Sequence, residues 1–327
     1  SISDPHRLAR LFISENIANE LPTIRLWRGA WYRWHDGYYD SLDQEEIRCR
    51  VVDCMKREFD RINIEQLKKW EPDPEKEDDK PPQTIPVTVA SVSSVMQALR
   101  SLCVLPAITE SPSLLIDDGT TLPAKHLVSL ANGVFNLTEF LADSNDVITP
   151  HSPSLFTLAA LSITFDPAAD CPLWRAFLAR NLANDDRCDM LQEWFGLCTT
   201  FNNSFQSFLM MEGIGSNGKS VICSALTALL SPRNVSHVPL ECFGETFHLS
   251  GTVGKLANIV SEIGEVEKAN EGTLKSYTSG DRMTFNRKNL PLFEAVPTAR
   301  LVMATNTLPR FADRSNGVWR RMLLLPL

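Results

Sequence analysis

Residues 212–221 read EGIGSNGKSV, and Gly213 to Ser220 within them spell Gly-x-x-x-x-Gly-Lys-Ser. The apolar run FQSFLMME leads into this stretch, and GKSVICSALTALL, with helical spacing, leads out of it. A strand that turns through glycines into a helix is the context that makes the spacing a Walker A phosphate loop. The chemistry dictates each residue type. Gly213, Gly215 and Gly218 let backbone N–H groups turn inward and approach phosphates with no side chain in the way. The helix starting near Gly218 adds its positive end. Lys219 is expected to reach the β- and γ-phosphates, and the Ser220 hydroxyl to ligate Mg²⁺. The loop therefore points to ATP or GTP and leaves open what the nucleotide is used for.

Working outward, LANIVSE (256–262), RLVMATN (300–306) and RRMLLLPL (320–327) read as three further apolar strands, with VSHVPL (235–240) a fourth candidate. Strands alternating with helices, the first feeding a phosphate loop, predict a parallel α/β nucleotide-binding core. Glu262 ends one apolar run, where it can hold Mg²⁺ through water or polarise the attacking water. Glu265 is a candidate second acid, and one of the two can equally be a surface carboxylate. Asn306 ends another run, where an amide can orient the attacking water. Arg320 and Arg321 precede the last strand, placing a guanidinium to neutralise charge at a neighbour's γ-phosphate. Adjacent strand residues face opposite ways, so one of the two is expected to serve as the finger and the other to pack locally.

The 327 residues suggest two or three domains, and 43% apolar with 22% charged residues is ordinary for a globular protein. The absence of a run near roughly 18–20 apolar residues argues against a membrane-spanning helix. The chain begins with Ser1 and stops in LLLPL, so it reads as a piece of a longer protein. Eight scattered cysteines without a C-x-x-C pair read as reduced core thiols and suggest a cytoplasmic setting. Net charge is −8, yet Asn270–Leu327 holds nine Lys/Arg against four acids, a local +5. A basic segment on an acidic chain suits a narrow phosphate contact.

Upstream, IRLWRGAWYRWHDGYYDS (24–41) reads as short strands with turns at Arg28-Gly29 and Asp36-Gly37. Its Trp27, Trp31 and Trp34 fit a sheet core better than a base-stacking platform. Asp43 and Glu46 form a capping box for a following helix. The stretch 71–86, with six acids and five prolines, reads as a solvated linker, followed by a helix over 89–102. LANGVFNL (130–137) and ITFDP (163–167) read as strand plus turn. Residues 172–200 read as helical, with Leu173, Phe177 and Leu178 on one apolar face and Met190, Leu191, Trp194 and Phe195 on the next.

The order GIGSNGKS, LANIVSEIGE, TSGDRMTFNRKN, RLVMATN, WRRMLLLPL resembles the superfamily-3 helicases, specifically the phage, plasmid and poxvirus primase-helicases. Asn217 before Gly218, Gly280-Asp281, Ala304-Thr305-Asn306 and Trp319-Arg320-Arg321 carry the likeness, with Asn132-Gly133-Val134 and Phe165-Asp166-Pro167 upstream. The resemblance implies an AAA+-like P-loop ATPase core with a parallel sheet over 201–327. A family-specific region over 131–200, ending in a helical collar at 172–200, would precede it, after a mixed α+β domain over 1–130. It implies ATP and Mg²⁺, Glu262 as Walker B acid, Asn306 as sensor, Asn217 in the phosphate loop, and Lys275 touching nucleotide in trans. It implies a homo-hexameric ring around single-stranded or forked DNA, with a primase or polymerase module upstream. The basic turn carrying Arg287 and Lys288, within a β-hairpin over 282–295, would track along the strand by sequence-blind phosphate contact. The function so implied is an ATP-dependent DNA helicase in replication of a mobile element. Two alternatives stay open: a P-loop ATPase that binds DNA as a switch or loader without unwinding, and a protein-remodelling ATPase.

Overall fold

Arg28 and Gly29 both take positive φ, 48° and 79°, the backbone that a two-residue turn between twisted strands requires. In the computed structural model they join β1 (Ile24–Trp27) to antiparallel β2 (Ala30–His35), with Leu26 opposite Trp31. The structure describes residues 1–72, 80–116, 123–182, 184–215, 217–263, 271–288, 292–309, 311 and 316–327. These residues divide into two units, Ser1–His35 with Asp40–Ile108, and Asp36–Tyr39 with Thr109–Leu327.

In the first unit, helices α1 (Pro5–Ser14), α2 (Gln44–Lys69) and α3 (Val89–Cys103) close over the hairpin. Leu8, Phe12, Ile24, Trp31, Ile47, Met55, Phe59 and Leu99 meet in one core. Trp27 and Trp31 are buried, so these two indoles are core and not an open stacking surface. Asp43 caps α2 by accepting from Glu45 N at 2.8 Å and Glu46 N at 3.4 Å. The Glu46 carboxylate pairs with Arg50 one turn on, at 2.7 Å. At α3 the reciprocal box does form, between Thr88 and Ser91. The described residues of the acidic linker, 71–72 and 80–86, are neither helix nor strand. One carboxylate, Glu58, is buried and held by Arg7 at 2.7 Å and Arg61 at 2.8 Å.

The second unit is built on five parallel strands. They are β5 (Phe208–Glu212), β6 (Val235–Ser236), β7 (Ala257–Val260), β10 (Arg300–Thr305) and β11 (Met322–Pro326). The spatial order is β6-β7-β10-β5-β11, so β10 stands between the Gly-loop strand and the strand before Glu262. Both faces of the sheet are covered, which is why its strands read as unbroken apolar runs. Leu209 and Met211 point to one core with Val302, Ala304 and Leu325. Phe208 and Met210 point to the other with Leu301 and Met303. At roughly 1.5–3 kcal/mol for each such side chain, burial outweighs any local propensity in placing these strands.

Helices α4 (Pro172–Asn181), α5 (Asp185–Cys198) and α6 (Lys219–Leu230) cover the first face through Leu178, Leu191, Trp194, Ile222 and Leu226. The expected apolar stripe of α4 needs one correction: Leu173 is 86% exposed. The other face holds α7 (Glu271–Ser279) and an antiparallel hairpin, β8 (Met283–Phe285) with β9 (Phe293–Ala295).

Ahead of the sheet, β3 (Leu127–Leu130) and β4 (Gly133–Asn136) form a hairpin. Residues 163–167, expected as strand plus turn, hold no strand; a turn falls at 167–168. The reason is a tertiary contact. The Asn132 amide takes both backbone groups of Phe165, donating to its carbonyl and accepting from its N–H, each at 3.1 Å. At Phe165 a side chain thus stands in for a backbone partner, while Ala131 N–H still donates to the Ile163 carbonyl at 2.8 Å, and two sequence motifs 33 residues apart are joined directly.

Candidate functional site

The Gly loop lies at the carboxyl end of β5 and runs into α6. Gly218 is left-handed, φ +90°, which favours glycine. Gly213 is required for a different reason: a Cβ there would stand 1.8 Å from Asn217 Nδ2 and 2.6 Å from the Leu327 carbonyl oxygen. Gly215 has open space around it, so packing alone does not demand glycine at that position. Lys219 opens α6 and is 9% exposed. Its ammonium donates to the Gly213 carbonyl, to Asn217 Oδ1 at 3.0 Å and to Asn306 Oδ1 at 3.2 Å. Three oxygens therefore satisfy the charge, and an incoming anion must draw it away from them.

A cleft of about 800 Å³ opens over this loop. It brings Gly215, Asn217, Gly218, Lys219 and Ser220 together with Glu262 and Asn306. Glu262 lies two residues beyond β7 and Asn306 one residue beyond β10, so three strand ends converge on one space. Glu262, Ser220 and Asn306 are solvent-exposed. Glu265 lies outside the described residues. Ser220 Oγ and the Glu262 carboxylate are hard oxygen donors on one cleft, a set that suits Mg²⁺, which keeps several waters and takes one or two carboxylates beside phosphate oxygens.

Sequence reasoning missed one wall of this cleft. Ala176, Phe177, Arg180 and Asn181 of α4 line it, and the Phe177 ring edge abuts Gly218. Periodicity places Phe177 on an apolar stripe but carries no signal of what that stripe faces.

The remaining candidates stand elsewhere. Arg320 and Arg321 lie in a 3₁₀ turn, Trp319–Arg321, and not on a strand, so strand alternation does not separate them. Burial does. Arg321 is 8% exposed and donates to the Gly317 carbonyl at 2.7 Å and Ser279 Oγ at 2.6 Å, whereas Arg320 is exposed. Burial, with the adjacent Arg320 charge, lowers the Arg321 pKa from its ordinary value. Lys275 is on α7, half-buried, and outside the cleft lining. Arg287 lies over the Phe293 ring, 4.4 Å from its centroid, and Lys288 is exposed beside it. Residues 289–291 of the hairpin turn lie outside the described residues. Among the described residues of the basic segment, Arg300 and Arg321 are buried, Arg282 is exposed and pairs with Glu110 at 3.2 Å, and Lys288 and Arg320 are exposed.

The fold and the cleft define an α/β protein on a parallel sheet, with a Gly-rich strand-to-helix loop and two polar strand ends converging above it. Two family models match the chain, "D5 N terminal like" over residues 27–182 and a family of unknown function (DUF5906) over 211–321. A protein of Acanthamoeba polyphaga mimivirus, named provisionally as a helicase, is 25% identical over 136 residues, 39% of this chain and 14% of that protein. Two solved apo structures of the NrS-1 C-terminal region share the fold. Their TM-scores are 0.54 and 0.51, at 13% and 12% identity, each covering 99% of this chain and 62% of theirs. The chain thus spans under two thirds of those structures and about a seventh of the mimivirus protein. The likeness is to the D5 N-terminal-like family over the chain's first part and, in fold alone, to the NrS-1 C-terminal region.

Proposed function

We propose that this chain is the ATP-driven motor of a DNA helicase, an AAA+-like P-loop ATPase acting as a homo-hexameric ring in replication of a mobile element. The observation that carries the reading is the convergence of the Gly loop, Lys219, Ser220, Glu262 and Asn306 on one cleft. A strand inserted between the loop strand and the acid strand supports the same assignment.

In this reading ATP binds with its phosphates along the loop backbone and the amino end of α6. Lys219 leaves its three protein oxygens for the β- and γ-phosphates. Ser220 and Glu262 would hold Mg²⁺, which when bound neutralises charge on the phosphates. Glu262 polarises the attacking water and accepts its proton, and Asn306, released from Lys219, orients that water. Arg320 of the adjacent protomer supplies the finger, because Arg321 is committed to Gly317 and Ser279. Lys275 is assigned to the neighbour's nucleotide, and Glu265 to support of Glu262. The hairpin of residues 282–295 carries Lys288 to the strand, with Arg287 braced on Phe293. Helices α4 and α5 serve as the collar, and a primase or polymerase module belongs to the longer protein.

The test is Lys288→Ala beside Lys219→Ala. Lys219→Ala is expected to abolish ATP hydrolysis. Lys288→Ala is expected to spare basal hydrolysis and abolish separation of a forked duplex. Retained unwinding in Lys288→Ala would overturn the hairpin assignment. Loss of DNA affinity in Lys288→Ala, of a protein whose wild type never unwinds, would mark a switch or loader, and indifference to the substitution a protein remodeller.

A further inference from the structure

Among the described residues lining the cleft over the Gly loop, three are charged: Arg180, Lys219 and Glu262. Glu262 offsets Lys219, so Arg180 alone leaves this space net positive, and a triphosphate stays anionic even with one Mg²⁺ bound. Arg180 comes from the end of α4. That end is seated on the junction of loop and helix. From where a Cβ on Gly218 would stand, the Phe177 ring edge is 2.9 Å away and Asn181 Oδ1 3.5 Å. Phe177 and Arg180 are three residues apart and share a helix face. Trp174 stacks on the Phe177 ring at 5.3 Å and 17° and braces it. The neighbouring arginines are committed elsewhere: Arg175 pairs with Asp170, and Arg187 donates to the Pro326 carbonyl at 3.0 Å. Among the described residues Arg180 makes no ion pair or hydrogen bond, and it is exposed. Lys219 must leave three oxygens to meet an anion, whereas Arg180 has none to leave.

We propose that Arg180 binds phosphate in its own chain, as a second cation that meets the triphosphate beside Lys219. The inference rests on the cleft being the nucleotide site. A cation in the last turn of a helix is also favoured by the carbonyl ends of that helix. That role would serve stability alone and asks for no place on the cleft. Arg180 belongs to the region matched as "D5 N terminal like" and the loop to the region matched as DUF5906, so the two regions grip one ligand. Acting within one chain, Arg180 serves binding before any assembly, whereas Arg320 serves hydrolysis at a seam.

The experiment is calorimetric titration of the whole chain with ATP and with inorganic tripolyphosphate, each with Mg²⁺, at low and high sodium chloride. Arg180→Ala is expected to weaken both ligands by the same factor, about tenfold, the scale of one charge-assisted contact. Arg180→Lys, which keeps the charge but not the planar fork, is expected to recover part of that loss. Salt should weaken binding to wild type more than to Arg180→Ala, because one screened pair is missing from the variant. The unliganded variants should melt with wild type, since the side chain is exposed. Unchanged affinity in Arg180→Ala overturns the assignment. So does a loss on ATP without a loss on tripolyphosphate, which would put the side chain on sugar or base. A loss that comes with a lowered melting temperature and the salt dependence of wild type would make Arg180 structural and overturn it too, as would wild type binding ATP but not tripolyphosphate. Failure of wild type to bind either ligand would instead remove the nucleotide site itself.

Discussion

Arg320 and Arg321 are neighbours in sequence with opposite fates, and replacing each with alanine separates structure from chemistry. Arg321→Ala removes two hydrogen bonds made by a buried guanidinium, to Gly317 and Ser279. Hydrogen bonds from a charged donor contribute roughly 1.5–3 kcal/mol each, partly offset because the burial cost of the charge is lost with it. A net loss of about 1–3 kcal/mol is expected, and at ~2–4 °C per kcal/mol for a unit of this size the melting temperature should fall by ~2–12 °C. Arg320→Ala touches an exposed side chain and should stay within about 0.5 kcal/mol of wild type. Its ATP hydrolysis, however, should fall by ~10³ or more if Arg320 is the finger. Mixing Arg320→Ala with Lys219→Ala, each inactive alone, should restore part of the activity, because a mixed seam can pair an intact loop with an intact arginine. The reasoning is refuted if Arg321→Ala melts like wild type yet loses hydrolysis while Arg320→Ala keeps it. Absence of complementation in a mixture shown to co-assemble would refute the in-trans placement.

Two further outcomes follow from side-chain environments. Hydrogen bonds from Arg61, outweighing the opposing cost of burial, and from Arg7 hold the Glu58 carboxyl at about 2, against an ordinary 4.5. A depressed pKa gives stability that is present above the unfolded value and is lost as pH falls from there toward 2. Both arginines are partly exposed, so solvent screening brings the contribution to about 1–2 kcal/mol. Urea melts of wild type and Glu58→Gln should therefore differ at pH 7 and converge near pH 2–3; a constant gap would refute it. Burial pushes the Cys54, Cys103 and Cys223 thiols up to about 11 and Cys198 to about 12, whereas Cys49 and Cys171 are exposed. A thiol reagent on the native protein should label Cys49 and Cys171 within minutes and the four buried thiols only after unfolding, as peptide mapping would show.

The core strands were legible because a sheet covered on both faces leaves runs such as FLMM and RLVMAT, each closed by a polar residue, Glu212 and Asn306. The Gly loop and the hairpin at 282–295 were legible for a similar reason: local spacing and turn residues specify them without reference to distant partners. What sequence could not supply was tertiary pairing. Asn132 bonding Phe165 cancels a strand that local pattern favours. Leu173 turns outward although its spacing matches Phe177 and Leu178. Phe177 and Asn181 reach the cleft only because the tertiary fold brings α4 against Gly218, a placement that periodicity does not encode. The separation of Arg320 from Arg321 came from Ser279 and the Gly317 carbonyl, partners that no strand pattern indicates.

Strands β5 and β11 run side by side in the same direction, with Phe208 opposite Met322 and Glu212 opposite Pro326. Arg320 therefore sits at the rim where these strands start, and the Gly loop at the rim where they finish. The four steps from Met322 to Pro326 alone separate the rims by roughly 13 Å, too far for one arginine to span. On the proposed reading each copy is then a half-socket whose own Arg320 cannot reach its own loop, and solitude, not damage, would be enough to idle it.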